Sequence, residues 1–226
     1  MDKKRTSMES DELETMVGFF DSRADIYDDI HSRPDITWGI RSREITAEKI
    51  SKDAKHILDL GCGTGLELEG IFKANPNIEV TCIDISSKML EVLKSKYRDK
   101  KITVVCGDYF KCDFGVNVFD NVISVMSLHH FTSEEKLLLY KKIYDSLKYG
   151  GSFINCDYIV DTLLEEKSHL QELEKIRSTI DVSTNLYHID IPLCEKNEVE
   201  VLLKSGFSNI VKAWENKKTK LLISQK

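Results

Sequence analysis

The stretch 56-HILDLGCGTGLELEG-70 decides how the rest of the chain is read. "HILDL" is a short apolar run without polar alternation, the pattern of a strand covered on both faces. Gly61, Gly63 and Gly65 then alternate with Cys62 and Thr64, and a helical pattern follows from Leu66 to Ala74, with Leu68, Ile71 and Phe72 inward. Such a turn either needs glycine for its own geometry or lets the backbone take positive φ and come close to a ligand. The spacing is G-x-G-x-G. A dinucleotide fingerprint, G-x-G-x-x-G, would need a glycine where Leu66 stands, and no lysine follows as in a P-loop. Asp59, just ahead of the loop, would repel a pyrophosphate but suits an ammonium group, directly or through water. The expected ligand carries an amine and no phosphate at this point.

Outward from this stretch, strands are expected at 78–84, 102–108, 119–126 and 152–159. Ser86 or Ser87 offers an N-cap to a helix carrying Met89, Leu90 and Leu93. A helix over 133–149 opens on Ser133, Glu134 and Glu135 and is expected to end at Gly150 and Gly151. Strands and helices alternating through short connections argue for βαβ units. The last two strands, 208–214 and 219–224, are separated only by "ENKK" and must be antiparallel. The fold class is therefore α/β: a doubly wound, mostly parallel seven-stranded sheet with a C-terminal antiparallel hairpin.

Residues 1–53 read as a helical lead or lid segment and 54–226 as the ligand-binding domain, whose sheet and covering helices are expected to lie after Ala54. The first dozen residues read as a frayed end. One helix is expected over 13–30, Pro34 breaks it, and a second runs over 35–50 with Trp38, Ile45 and Ile50 inward. A helical insertion is expected at about 162–192, where "LLEEKSHLQELEKI" suits a lid or a dimer contact and its acids read as a solvated face.

Two further acids follow strands. Asp84 ends the second, where a carboxylate accepts hydrogen bonds from a ribose diol. Nicotinamide-binding folds share that feature, and a plain helix-capping acid would look the same. Asp108, in "CGDYF", can accept from the exocyclic amine of adenine with Tyr109 or Phe110 beside the ring, or it can be a turn residue.

Together these residues resemble the class I S-adenosylmethionine-dependent methyltransferases. The resemblance is carried by "DLGCGTG" (59–65), "CIDIS" (82–86), "GDYF" (107–110), "NVISVMSLHHF" (121–131) and "LKYGGSFI" (147–154), with the closing hairpin. It implies S-adenosylmethionine as cofactor, its carboxylate met by backbone N–H groups near Gly61 to Gly65 and its amine by Asp59. The expected cofactor contacts are Asp59, Gly61, Cys62, Gly63, Asp84, Ile85, Met89, Gly107, Asp108, Tyr109 and Val125, with Tyr27 of the lead segment, which can lie over the sulfonium or belong to a core stripe with Phe19 and Phe20. The implied reaction is in-line transfer of a methyl group to a small-molecule acceptor; a nicotinamide-dependent oxidoreductase and a noncatalytic binding protein are the alternatives.

On the acceptor side stand His129, His130, Tyr158, Tyr187 and His188. His130 is the candidate catalytic residue, as proton acceptor or positioner, with local packing as the alternative; His129 reads rather as a packed histidine and Asp157 as a solvated strand end. The net charge of −6 argues against a nucleic-acid acceptor. No run is long enough for a membrane span and the polar start is no secretory signal, so the expected location is the cytoplasm, with a homodimer possible. Six scattered cysteines without a C-x-x-C pair give no reason to expect a metal.

Overall fold

In the computed structural model, residues 13–33, 37–179 and 186–226 are described. The expectations for residues 1–12, for the break at Pro34, for the side chain of Trp38 and for residues 180–185 lie outside these. The strands are β1 (His56–Leu60), β2 (Glu79–Asp84), β3 (Ile102–Cys106), β4 (Phe119–Val125), β5 (Leu147–Tyr158), β6 (Ser208–Asn216) and β7 (Thr219–Gln225). They form one sheet in the order β3-β2-β1-β4-β5-β7-β6, parallel except for β7, which is antiparallel to both β5 and β6. The chain reverses its winding direction between β1 and β4, so the loops after these two strands border a crevice at the carboxyl edge, where open α/β sheets bind ligands.

The apolar run of β1 explains its central place. Leu58 and Leu60 point to one face, where they share a core with Val122, Phe153 and helices α6 (Ser133–Ser146) and α8 (Glu195–Lys204). Ile57 points to the other, toward α3 (Thr37–Lys49), α4 (Leu68–Ala74) and α5 (Ser87–Lys96). All three side chains are fully buried, each worth about 1.5–3 kcal/mol. Asp59 shares the face of Ile57. That face is also where the expected division of the chain needs correction. Ile45 and Ala47 of α3 are buried among Leu68, Ile71 and Leu90, so the covering helices begin with α3 and not after Ala54.

Other boundaries also differ. The lead segment is not one helix: α1 (Met16–Asp21), a 3-10 turn at Ala24–Ile26 and α2 (Tyr27–His31) follow one another. Thr15 caps α1, and the Ser22 N–H closes on Gly18 and Phe20. Helix α6 is capped by Thr132, not Ser133, through a capping box in which Thr132 and Glu135 satisfy each other's backbone N–H groups. It ends at Ser146 because Leu147 is already extended and pairs with Phe119. Gly150 and Gly151 therefore lie inside β5, in an excursion between the Phe119–Leu147 and Asn121–Ser152 pairs, with Gly150 at φ +76°. Strand β3 stops at Cys106, which leaves Gly107 and Asp108 in the turn. Helix α7 (Leu163–Thr179) opens the insertion, and its acids are not all solvated. Glu166 is buried and accepts from the Cys194 N–H at 2.7 Å, and Glu165 pairs with Lys218.

Candidate active site

The glycine loop after β1 takes left-handed backbone at Gly61, Gly63 and Gly65, with φ of +70°, +51° and +73°. A Cβ at Gly61 would lie 1.9 Å from Ser127 Oγ, so the loop after β4 can approach only a glycine. At Gly63 a Cβ would meet nothing within 4 Å, because that face is open to the cleft. Most of the loop N–H groups expected to receive a carboxylate are engaged within the protein. Gly61 and Cys62 donate to Ile83 O, Gly63 to Asp84 Oδ2 at 2.8 Å, and Gly65 to Cys62 O.

Asp84 is fixed by those bonds. Its other oxygen accepts from Ser86 N at 2.8 Å, and Ser86 caps α5 through Met89 N. Burial pushes the carboxyl above its usual range, and the Ser86 and Gly63 N–H groups pull it back. Asp84 lines the cleft, and its carboxylate has about four acceptor sites for three backbone N–H groups, those of Gly63, Ser86 and Ile85. Ile85, Met89, Gly107, Asp108, Tyr109 and Val125 line the same chamber, of about 620 Å³, together with Gly61, Gly63, Asp84, Tyr27 and His130. Asp108 Oδ1 holds the Phe110 N–H at 2.9 Å.

A second, wider chamber shares Tyr27, Gly61, Gly63 and His130 with the first and adds Cys62, Arg43, Glu67, His129 and His188. Asp59 lines neither chamber. It stands behind Glu67, and three buried oxygens of the two acids, Asp59 Oδ1 and Oδ2 and Glu67 Oε1, have no hydrogen-bond donor among the described residues. Burial, then the neighbouring Glu67, pushes Asp59 well above the usual carboxyl range; burial also raises Glu67, against the pull of its interaction with Asp59. Orphaned buried carboxylates beside an open chamber fit a positively charged ligand group. Glu67 and Arg43 escape sequence reading because each is one charged residue in a helical pattern, with no motif around it.

The lead segment closes the cleft from outside. Asp28 Oδ1 accepts from Thr64 Oγ1 at 2.5 Å, Asp28 Oδ2 pairs with Lys96, and Asp21 accepts from Ser86 Oγ at 2.6 Å. A second piece of chain joins it: Met16 N donates to Leu186 O, His188 N to Glu14 O, and Phe19 stacks on His188 at 3.6 Å. Tyr27 stacks on His31, and burial, then Glu67 and Asp84, pushes its phenol up to about 12.

The histidines follow β4. His129 Nδ1 lies 2.5 Å from Asp157 Oδ1, and Asp157, expected to be solvated, is fully buried under it because β5 runs beside β4 in parallel register. Burial opposes charge on His129, but Asp157 and then Asp190 outweigh it and raise its pKa to about 9. His130 lies in both chambers, with Nδ1 3.0 Å from Ile189 O; burial, then the neighbouring His129, lowers its pKa. Burial lowers His188 to about 4. Met126, also in the cleft, holds φ +53°, a strained conformation for a side-chain-bearing residue. Tyr158 reaches His169 at 3.3 Å.

Residues 57–151 match the family model described as "Methyltransferase domain". Malonyl-[acyl-carrier protein] O-methyltransferase of Priestia megaterium is 33% identical over 98 residues, 43% of this chain and 35% of that protein. An uncharacterized methyltransferase of Bacillus cytotoxicus is 28% identical over 197 residues, 84% of this chain and 88% of its own length. The chain thus spans about a third of the first relative and most of the second. An O-methyltransferase family protein of Burkholderia thailandensis shares the fold, with a TM-score of 0.72, 15% identity, and coverage of 96% of this chain and 65% of that one. With the glycine loop, the strand-end acids in order and the antiparallel last strand in place, residues 57–151 carry a methyltransferase domain, and the chain has the Rossmann-like methyltransferase fold and is similar to the class I S-adenosylmethionine-dependent enzymes.

Proposed function

We propose that the chain transfers the methyl group of S-adenosylmethionine to a small-molecule acceptor. The observation that carries the reading is Glu67, backed by Asp59 and with the orphaned oxygens of both acids, lining the same chamber as Arg43. An anionic pair and a cation side by side are complementary to the two ends of an amino acid. Glu67, backed by Asp59, would hold the ammonium, and Arg43 takes the carboxylate role that the engaged loop N–H groups leave open. Asp84 would accept from the ribose hydroxyls and Asp108 from the adenine amine, with Tyr109, Ile85 and Met89 as apolar walls.

When bound, the cofactor supplies a methyl group on a sulfonium, whose departure needs no acid. The chain's own task is alignment and exclusion of water. Tyr27 and Phe20, on the lead segment, shield the junction of the two chambers. Tyr27 also presents a ring face favourable to positive charge. His130 faces the acceptor. A demethylmenaquinone methyltransferase of Symbiobacterium thermophilum and a norreticuline-7-O-methyltransferase of Papaver somniferum, both similar to this chain, support a small-molecule acceptor, and no helix among the described residues is long and apolar enough to cross a membrane.

Calorimetric titration of the full chain with S-adenosylmethionine, S-adenosylhomocysteine and NAD tests this reading. The two sulfur compounds should bind one per chain, and Arg43→Ala should weaken both. Binding of NAD with no response to either sulfur compound would sink the proposal.

A further inference from the structure

His129, His130 and Asp190 meet where the loop after β4 touches the end of the insertion, and each offers one donor atom within 4.8 Å of the others. His129 Nε2 lies 3.5 Å and His130 Nδ1 3.2 Å from Asp190 Oδ1. Charge-assisted hydrogen bonds close to about 2.7–2.9 Å. Donor atoms around one ion with bonds of ~2.0–2.1 Å stand about 3.0–3.4 Å apart, for octahedral and tetrahedral angles respectively. The two histidine-to-carboxylate spacings, 3.5 and 3.2 Å, lie at or near that range.

The tautomer of His129 is set from behind. Asp157 Oδ1 receives His129 Nδ1 at 2.5 Å and Tyr158 N at 2.8 Å, and Oδ2 receives Leu128 N at 2.9 Å. A carboxylate so held keeps one proton of the imidazole on Nδ1; the second, on Nε2 toward Asp190, is the one an incoming ion displaces to reach the Nε2 lone pair. That carboxylate–histidine arrangement is the usual support of a metal ligand. Two imidazoles and two carboxylates also sum to the charge that a dication balances. Without an ion, His130 Nδ1 donates its proton to the Ile189 carbonyl at 3.0 Å; binding an ion there moves that proton to Nε2 and gives up this hydrogen bond.

We propose that His129 Nε2, His130 Nδ1 and Asp190 form a binding site for one divalent transition-metal ion of the zinc type. Nitrogen and carboxylate donors suit that class better than magnesium or calcium, which favour all-oxygen sets. Three protein donors are the count of catalytic sites, which keep a position open, and His129 and His130 both line the wide chamber. The acceptors selected there carry an oxygen or sulfur donor; this role, unlike the metal binding, rests on the proposed methyl transfer.

The test uses the untagged full chain, stripped with a chelator and titrated with Zn²⁺ by calorimetry and with Co²⁺ by visible absorption. One ion per chain is expected. Asp190→Ala changes a side chain that is 45% exposed, so the fold tolerates it, and it should weaken the ion at least tenfold. Asp157→Asn, which leaves all three ligands in place, should weaken it by about 10–100-fold. Absence of stoichiometric binding, or equal affinity in the wild type and Asp190→Ala, overturns the site. Titration of S-adenosylmethionine in the stripped protein is read separately. Binding of the metal without the cofactor supports the site while sinking the proposed function, and the reverse result does the opposite.

Discussion

Two buried carboxylate clusters flank the sheet, and the chain treats them differently. On one face Glu198 is fully buried and met by Lys136 Nζ at 2.7 Å, by the Tyr140 hydroxyl and by Asn155 Nδ2 at 3.4 Å. On the other, Asp59 and Glu67 are as deeply buried but have three oxygens without a donor. Burial of an anion is costly at both places. At Glu198 a lysine of α6 offsets the cost permanently, and only the neutral Asn155 Oδ1 is left without a donor. At Asp59 no side chain among the described residues does so, and under the proposed function the ammonium of the cofactor would supply the offset. The first cluster is satisfied within the fold, and the second is not.

Lys136→Met breaks the first cluster and carries the largest expected effect. It leaves Glu198 buried without its cation, which costs about 3–5 kcal/mol. Thermal or denaturant unfolding should show that loss, and a variant that stays folded should bind S-adenosylmethionine nearly as before. A loss of cofactor affinity without a loss of stability would mean the two clusters are not separate. On the ligand side, Asp84→Ala removes charged hydrogen bonds worth roughly 1.5–3 kcal/mol each. Affinity for S-adenosylmethionine should fall at least about tenfold, since ~1.4 kcal/mol is a factor of ten. Unchanged calorimetric binding in a folded Asp84→Ala protein would remove the ribose role.

The two clusters also differ in how far they can be read from the chain. The glycine loop, Asp84 and Asp108 are legible because each sits at the end of an apolar run, in an order set by parallel topology. Asp59 is legible for the same reason. Glu67 is not, because a glutamate just before a helix has many uses and only the packing of α4 turns it under the loop. Arg43 belongs to α3, whose place in the core follows from burial of Ile45 and Ala47 rather than from any motif. The histidine cluster needs three distant segments. Asp157 comes under His129 through the β4–β5 register, and Asp190 arrives from the insertion, whose return path no local pattern encodes. The misplaced caps have a local cause. "TSEE" offers two candidate N-caps, and the capping box with Glu135 selects Thr132.

Asp59→Asn gives the smallest effect and sharpens the comparison most, because its sign should differ with and without ligand. Asp59 and Glu67 have ordinary values of 3.8 and 4.5, and burial raises both in the folded chain. A carboxyl whose folded pKa stands above its unfolded one contributes stability that is present below the ordinary range. That contribution is lost as pH rises through the folded value. The ligand-free protein should therefore lose stability as pH climbs from about 4 toward neutrality. In Asp59→Asn one of the two acids no longer ionises, so the slope should flatten. At pH 7 the ligand-free variant should be more stable than the wild type, by about 1–3 kcal/mol if the amide finds partners as good as those of the neutral acid. With S-adenosylmethionine present the order should reverse, since the amide no longer backs Glu67 with charge against the ammonium. Melting temperatures across pH 4–8, with and without S-adenosylmethionine, check both halves. A variant less stable than the wild type when empty, with an unchanged pH slope, would show that Asp59 is satisfied by the fold, as Glu198 is.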